Sequence, residues 1–344
     1  MIHVLVVEDS SAARELVLDI LRQDSTIHLA GVGRNGREAV TMASELKPDV
    51  ILMDVHMPVM NGLEATREIM QTAPVPIVLM SATSGSETAI VFEAIRAGAV
   101  TIVDKPKNVL GTSKSAQNLV DMVKAMAEVK VVRRWRNQSP QSPAVMAHSI
   151  PSVGHQARLI AIGASTGGPQ ALTTIFQALP DDLGVPIVLV QHITPGFAFG
   201  IVEWLNSVAS IKVKIAEDGE RLQPNIAYLA PDGVQMVVGR FERICLSTAS
   251  PSETYCPSID RMFESVADTY GSSALGVILT GMGRDGAYGL RRMRESGAVT
   301  IAQDEATSAV YGMPKEAVRL GAAMYVLPLG EIAGVLCRVG VRRT

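Results

Sequence analysis

The chain alternates short apolar runs with stretches of helical spacing, and it does so twice. Residues 2–7 are apolar apart from His3 and stop at Glu8 and Asp9, as a buried strand stops at the rim of a sheet. Ser10 or Ser11 then caps a helix, whose apolar positions Ala13, Leu16, Val17, Ile20 and Leu21 fall on one face. Further apolar runs at 50–53, 77–80 and 101–103 end at Asp54, at Ser81 and just before Lys105-Pro106. Pro58, Asn61 and Gly62 mark the loop after Asp54. Helical patterns separate these runs. Strands alternating with helices predict a parallel sheet with right-handed crossovers.

The second half repeats the alternation. Strands are expected at 159–162, 186–190, 211–215, 274–279 and 299–302. Between the third and fourth lies a β-rich insert at 226–229, 235–238 and 243–247, around the turn Pro231-Asp232-Gly233. It is expected to form antiparallel strands. A helix over 113–135 and a segment rich in Ser, Pro, Gln and His, 136–156, join the halves. Residues 129–158 carry five basic side chains and no acidic one, which suits a solvated tether. The expected division is 1–125, a helix extension and flexible linker over 126–156, and 157–344. No internal repeat is present.

A length of 344 residues fits two domains, each with its own core. Apolar residues make up 47% of the chain but aromatic ones only 4%, so the core is aliphatic, as in parallel α/β sheets. A net charge of -3 with no basic stripe argues against a nucleic-acid partner. No apolar run approaches a membrane span, so no membrane insertion is expected. The start of the chain lacks the basic region of a signal peptide. Cys245, Cys256 and Cys337 are scattered, as free thiols of a reducing compartment would be, which points to a cytoplasmic location.

Ligands bind parallel sheets at the carboxyl ends of their strands. In the first half those ends carry Glu8, Asp9, Asp54, Ser81 and Lys105. Hard oxygen ligands suit Mg²⁺, and a carboxylate beside it can accept a phosphoryl group. Lysine and the hydroxyl can hold the phosphoryl oxygens. Any one of these residues reads more simply as a solvated turn, but five in order at strand ends do not.

In the second half, Gly163, Ser165 and Gly167 form a Gly-x-Ser-x-Gly corner between a strand and a helix. Alone, such a match is more often a plain turn. Two more strands, however, end in Gln191-His192 and in the run from Thr280 to Gly286 that contains Asp285. A hydroxyl, an imidazole and a carboxylate after strands of one sheet are what acyl transfer requires. The glycine-rich turns at 163–168 and 281–283 can supply oxyanion donors. A dinucleotide site fits poorly, because Ser165 stands where its second glycine belongs and the second strand ends in His192. An α/β-hydrolase would run Ser, Asp, His, whereas the order here is Ser165, His192, Asp285.

Residues 1 to about 125 resemble a two-component receiver domain, on Glu8-Asp9, Met53 to Pro58 with Asn61-Gly62, Ser81-Ala82 and Lys105-Pro106. The resemblance implies that Asp54 is phosphorylated by a histidine kinase. It implies that Glu8, Asp9 and Asp54 bind Mg²⁺ with the backbone carbonyl of His56, and that Ser81 and Lys105 sense the phosphoryl group. Ile102 stands where many receivers carry an aromatic switch residue.

With that receiver in front, the chain resembles the chemotaxis protein-glutamate methylesterase/protein-glutamine glutaminase family. The motifs are Ile162 to Gly168, Gln191-His192, Pro257 to Asp260, Leu279 to Gly286 and Tyr311 to Pro314. The resemblance implies the fold class: α/β, a flavodoxin-like doubly wound parallel receiver followed by a doubly wound, mostly parallel esterase domain with a β-hairpin insert. It implies hydrolysis of glutamate γ-methyl esters, releasing methanol, and deamidation of glutamines on methyl-accepting chemotaxis receptors. The chemotaxis histidine kinase would be the phosphodonor, and the esterase site would need no cofactor. Ser165 is then the nucleophile, His192 the base and Asp285 the orienting acid, with Thr166 and Met282 beside the oxyanion. Gln235 and Cys256 stand where the family's histidine and arginine are expected, with altered substrate-groove contacts as the consequence. A receiver-gated hydrolase of another ester is the main alternative. A receiver-linked transcription regulator fits less well, since the second domain shows no helix-turn-helix or basic stripe. A silent receptor-binding scaffold fits least.

Overall fold

The first half forms one sheet with helices on its faces. Its elements are β1 (Ile2–Val7), α1 (Ser11–Arg22), β2 (Ile27–Gly33), α2 (Gly36–Leu46), β3 (Val50–Asp54), α3 (Gly62–Thr72), β4 (Ile77–Ser81), α4 (Thr88–Ala97), β5 (Thr101–Asp104) and α5 (Lys114–Ala127). The computed structural model describes residues 1–81, 88–106, 114–129, 157–250 and 253–339. It divides into two compact units, Met1–Pro143 and Ala144–Thr344.

In the first unit the strand order is β2-β1-β3-β4-β5, parallel throughout. β3 and β4 are buried along their whole length, which is why they read as unbroken apolar runs. The order in which strands are added reverses beside β1, so the carboxyl ends of β1 and β3 frame the crevice where such sheets take ligands. Ser10 caps α1 by accepting from the Ala13 N–H. Asn61 and Glu64 cap α3 reciprocally. A β-carbon on Gly62 would stand 2.3 Å from the Asp54 carbonyl oxygen, so glycine lets α3 start against the end of β3. Ile102 is buried in β5.

The second unit contains β6 (Leu159–Ala164), α6 (Gly168–Ala178), β7 (Ile187–Gln191), α7 (Ala198–Asn206), β8 (Lys212–Ile215), β9 (Ile226–Leu229), β10 (Val234–Gly239), β11 (Arg243–Thr248) and α8 (Ile259–Tyr270). It continues with β12 (Ala274–Ile278), α9 (Ala287–Glu295), β13 (Val299–Gln303), α10 (Met313–Arg319), β14 (Tyr325–Leu327) and α11 (Leu329–Val339). Seven strands pair in parallel in the order β14-β13-β12-β6-β7-β9-β8. β6, the first strand, lies between β7 and β12, and the connections turn to opposite sides of it.

The insert differs from expectation at its first strand. β9 does not join an antiparallel unit; it lies parallel between β7 and β8 in the main sheet. Ala227, Tyr228 and Leu229 are all buried, so this segment needs cover on both faces, which a hairpin could not supply. Only β10 and β11 form the antiparallel hairpin. Its inward residues Met236, Val238 and Ile244 share a core cluster with Met262, Phe263 and Val266 of α8. The expected helix over 113–135 is observed as α5, ending at Ala127, and the basic tether over 130–156 lies outside the described residues.

Candidate active site

Three adjacent strands of the second unit end at one edge. Ile278 of β12 is in register with Gly163 of β6, and Ala164 of β6 with Gln191 of β7. Ser165, His192 and the loop to Asp285 follow these ends directly. The Ser165 N–H donates to the Thr280 carbonyl at 3.0 Å, and the His192 N–H to the Ala164 carbonyl at 2.9 Å. Gly281 allows the close passage of these loops, since a β-carbon there would meet the Ser165 Cβ at 2.6 Å. The buried Gln191 amide donates from Nε2 to the carbonyls of Ser165, at 2.8 Å, and His192, at 2.7 Å. It thereby ties the serine corner to the histidine corner.

His192 Nε2 lies 2.9 Å from Asp285 Oδ2, with side-chain exposures of 16% and 3%. The ring N–H does not point along that line, so the contact is an ion-pair approach and not a linear hydrogen bond. Asp285 is held by three donors: Ser258 Oγ at 3.0 Å and the backbone N–H groups of Ile259 at 2.7 Å and Asp260 at 3.1 Å. Burial works to raise the Asp285 carboxyl, but His192 and these N–H donors outweigh it and hold the group below its usual range. Neighbouring Asp260 is pushed up to about 6, by burial first and then by the Asp285 charge, against the opposing Gly289 N–H.

Ser165 is half-buried, and among the described residues its hydroxyl makes no hydrogen bond. The structure therefore pairs His192 with Asp285 and sets Ser165 on the neighbouring strand end, with no hydrogen bond between Ser165 and His192. Such contacts often tighten only when substrate binds. Thr166 is buried and its carbonyl accepts from Thr280 Oγ1 at 2.9 Å. Among the described residues the backbone N–H groups of Thr166 and Met282 donate to no acceptor. They lie in the loops that follow β6 and β12, on either side of the serine corner.

The rim of the first unit carries a second charged site. Lys105 Nζ lies 2.7 Å from Asp54 Oδ2 and 3.0 Å from Glu8 Oε2. Carboxylate oxygens of Glu8, Asp9 and Asp54 lie within 4.8 Å of one another. Burial, and then the Asp54 charge, raises the Glu8 carboxyl. Burial also raises Asp54, against the pull of Lys105 and the His56 backbone N–H. Burial works against the Lys105 ammonium, but Asp54 and Glu8 hold it above its usual value. Ser81, buried at the end of β4, accepts from the Lys105 N–H through its carbonyl at 3.0 Å. Two buried carboxylates and the exposed Asp9 carboxylate crowded together, with one ammonium against them, fit a divalent cation bound through oxygen.

The sequence pattern of the CheB methylesterase family matches residues 160–336, and that of the response regulator receiver domain matches residues 4–111. The chain belongs to the CheB methylesterase family. A protein-glutamate methylesterase/protein-glutamine glutaminase 1 of Syntrophus aciditrophicus is 45% identical, over 98% of each chain. A protein-glutamate methylesterase/protein-glutamine glutaminase of Archaeoglobus fulgidus is 40% identical over 98% of this chain and 97% of its own. Among solved structures, the Thermotoga maritima CheB methylesterase catalytic domain superposes with a TM-score of 0.51 at 36% identity, covering 53% of this chain and 98% of that one.

Within this CheB fold, the structure gives three residues near the site roles that the sequence did not show. Gln235 is fully buried and is not a groove residue. Its Nε2 donates to the Tyr255 carbonyl at 2.8 Å and Glu253 Oε2 at 3.2 Å, and its Oε1 accepts from the Ser258 N–H at 2.8 Å. It thus braces the loop whose other side touches His192 and Asp285. Ser258 stood in the sequence only as part of the motif Pro257 to Asp260; it caps α8 and also donates to Asp285. Tyr255 stacks on His192, with ring centroids 5.1 Å apart and planes at 5°. Nothing in its irregular, serine-rich surroundings signalled it. Cys256 is half-buried, and burial raises its thiol.

Proposed function

We propose that this chain is a phosphorylation-activated esterase that acts on methylated glutamates of methyl-accepting chemotaxis receptors, with Ser165, His192 and Asp285 as its catalytic set. The supporting observation is the His192–Asp285 pair on the strand end beside Ser165, at a corner framed by glycines. Ser165 Oγ attacks the γ-carbonyl while the imidazole takes its proton. Asp285 faces Nε2, which leaves Nδ1 for that proton, and the carboxylate stabilises the imidazolium. The N–H groups of Thr166 and Met282 receive the developing oxyanion. The imidazolium returns the proton to the leaving methoxide, releasing methanol, and water then hydrolyses the acyl-serine by the same route. With a glutamine side chain, ammonia leaves instead. The esterase site needs no cofactor.

The receiver, over 1–125, takes the phosphoryl group from a chemotaxis histidine kinase onto Asp54. Glu8, Asp9, Asp54 and the His56 backbone carbonyl would hold Mg²⁺, which when bound neutralises charge on the transferring phosphoryl group. Lys105 and Ser81 hold the phosphoryl oxygens. Residues 126–156 link the receiver to the catalytic domain, 157–344. Among the described residues no helix is long and apolar enough to cross a membrane. The proposed setting is the cytoplasm, at receptor tails, with no nucleic-acid partner.

The test is methanol release from methylated receptor membranes. Ser165→Ala should lose about 10⁴- to 10⁶-fold in turnover, as nucleophiles working in a set do. Turnover close to that of the parent would overturn the catalytic assignment. Faster turnover of a small chromogenic ester than of the receptor would favour the hydrolase of another ester.

A further inference from the structure

We propose that Tyr255 is a positioning residue of the esterase site, fixing the plane of the His192 ring and closing one face of the His192–Asp285 pair from water. The inference rests on the reading of His192 as the base.

The two rings lie parallel within 5°, at a centroid distance of 5.1 Å, which is the offset-stacked arrangement aromatic pairs prefer. His192 needs such a support. Its Nε2 is buried, yet its N–H is not aligned on Asp285, so the ion pair alone leaves rotation of the ring about its own bond unrestrained. A flat face against the imidazole supplies that restraint, and a π face also favours the imidazolium formed during proton transfer. Tyr255 is itself held firmly. Its carbonyl accepts from the buried Gln235 amide at 2.8 Å, and Ser258, three residues on, is held by the same amide. The far end of the ring reaches the loop that carries Met282, where a β-carbon on Gly283 would stand 3.0 Å from Tyr255 Oη. Burial and then the Asp285 charge raise the phenol, so the ring stays neutral at working pH. With 36% exposure, Tyr255 is the solvent-side wall of the pair and not part of the core.

A wall that positions the base acts on turnover more than on binding. Tyr255→Leu should lower kcat for methanol release about 3- to 30-fold with KM within twofold, the range that stacking and cation–π contacts support. Tyr255→Phe should recover most of that loss, because the ring and not the hydroxyl carries the role. Proton NMR of the imidazole gives an independent signature. The His192 ring protons, assigned by comparison with His192→Gln, should lie upfield under the tyrosine ring current. They should stay there in Tyr255→Phe and move downfield in Tyr255→Leu. Full activity in Tyr255→Leu, a loss confined to KM, or unmoved imidazole signals would each overturn the proposal. Tyr255→Met gives the same test should the leucine variant fail to fold. Active Ser165→Ala, by contrast, would overturn the catalytic reading itself, while the ring-current shift would still report the stack.

Discussion

The Asp285 carboxylate accepts a 2.7 Å hydrogen bond from the Ile259 backbone N–H, in the first turn of α8. One oxygen therefore serves two partners, since the same Oδ2 faces His192. The free N–H groups at a helix start attract negative charge. With His192, this helix start, capped by Ser258, keeps the carboxylate below its usual range although it is only 3% exposed. The charge that faces the imidazole is thus held by His192 first and by the N–H groups of a helix start beside it.

Asp285→Asn keeps the shape and removes the charge. Turnover should fall by about 10² to 10⁴, less than in Ser165→Ala, because serine and imidazole remain. Stability gives a second readout. The folded carboxyl sits below its unfolded value, so its contribution is present above the unfolded value and is lost as pH falls through the lower, folded one. The parent should melt higher than the variant at neutral pH, and the two midpoints should converge in acid. A gap that is constant with pH would contradict the ionised anchor.

Gln235 carries a comparable burden through Glu253, Tyr255 and Ser258. Gln235→Leu is similar in size and leaves the Tyr255 carbonyl and the Ser258 N–H without their partner in a buried place. The loss should be about 1–3 kcal/mol of stability, seen as a lower denaturation midpoint, with a fall in turnover. A variant that loses stability but keeps full turnover would show that the loop holds Tyr255 and Ser258 without this brace.

The proposed catalytic residues stood out as rim residues because they follow buried parallel strands. Continuous apolar runs such as 159–162 and 274–279 announce a strand, and the first polar side chains after them announce the rim. Partnership was not legible. β9 has the same composition whether it pairs in a hairpin or in the main sheet, and only long-range register decides. β2 and β14 are edge strands with half-exposed patterns and no unbroken run to read. Gln235 read as a groove residue because its hydrogen-bond partners lie about twenty residues away, in a loop without periodicity. On the receiver rim, the strand-end pattern singled out Glu8, Asp54 and Lys105, and the structure brings these three side chains together.

That rim is built at a cost to stability. Glu8 and Asp54 are both buried, and both carboxyls are raised, by burial first. A carboxyl raised in the folded state favours folding most below its unfolded value, and it destabilises progressively as pH rises through the folded value. Asp54→Asn removes one such charge. At pH 7 the variant should be more stable by about 1 kcal/mol, as functional sites relieved of strain often are. The gap should close below about pH 4, the ordinary carboxylate range. Mg²⁺ should raise the midpoint of the parent more than that of the variant, by mass action on the folded receiver. Thermal melts of the full chain across pH, with and without Mg²⁺, measure all three effects. A less stable variant at neutral pH would mean that the Lys105 contact outweighs the burial of Asp54.

The last prediction concerns Gly168, the first residue of α6. A β-carbon there would stand 2.0 Å from Gln191 Oε1 and 2.9 Å from Ala164 Cβ. The Gln191 side chain cannot retreat without giving up its bonds to the Ser165 and His192 carbonyls, because it is 4% exposed and packed at the junction. Two effects compete in Gly168→Ala. Helix propensity favours alanine by at most about 1 kcal/mol, and by less in a first turn. Overpacking costs roughly 1–3 kcal/mol, and each lost hydrogen bond adds about 1 kcal/mol. The clash should win, with a net loss of stability and at least a tenfold fall in turnover as the serine and histidine corners separate. Gly334, within α11, is the control: a β-carbon there meets nothing within 4 Å. Gly334→Ala should gain about 0.5–1 kcal/mol with turnover unchanged. Denaturation midpoints and methanol release measured on the two variants side by side separate packing from propensity. A stabilised, active Gly168→Ala would show that Gln191 does not bind the two corners together.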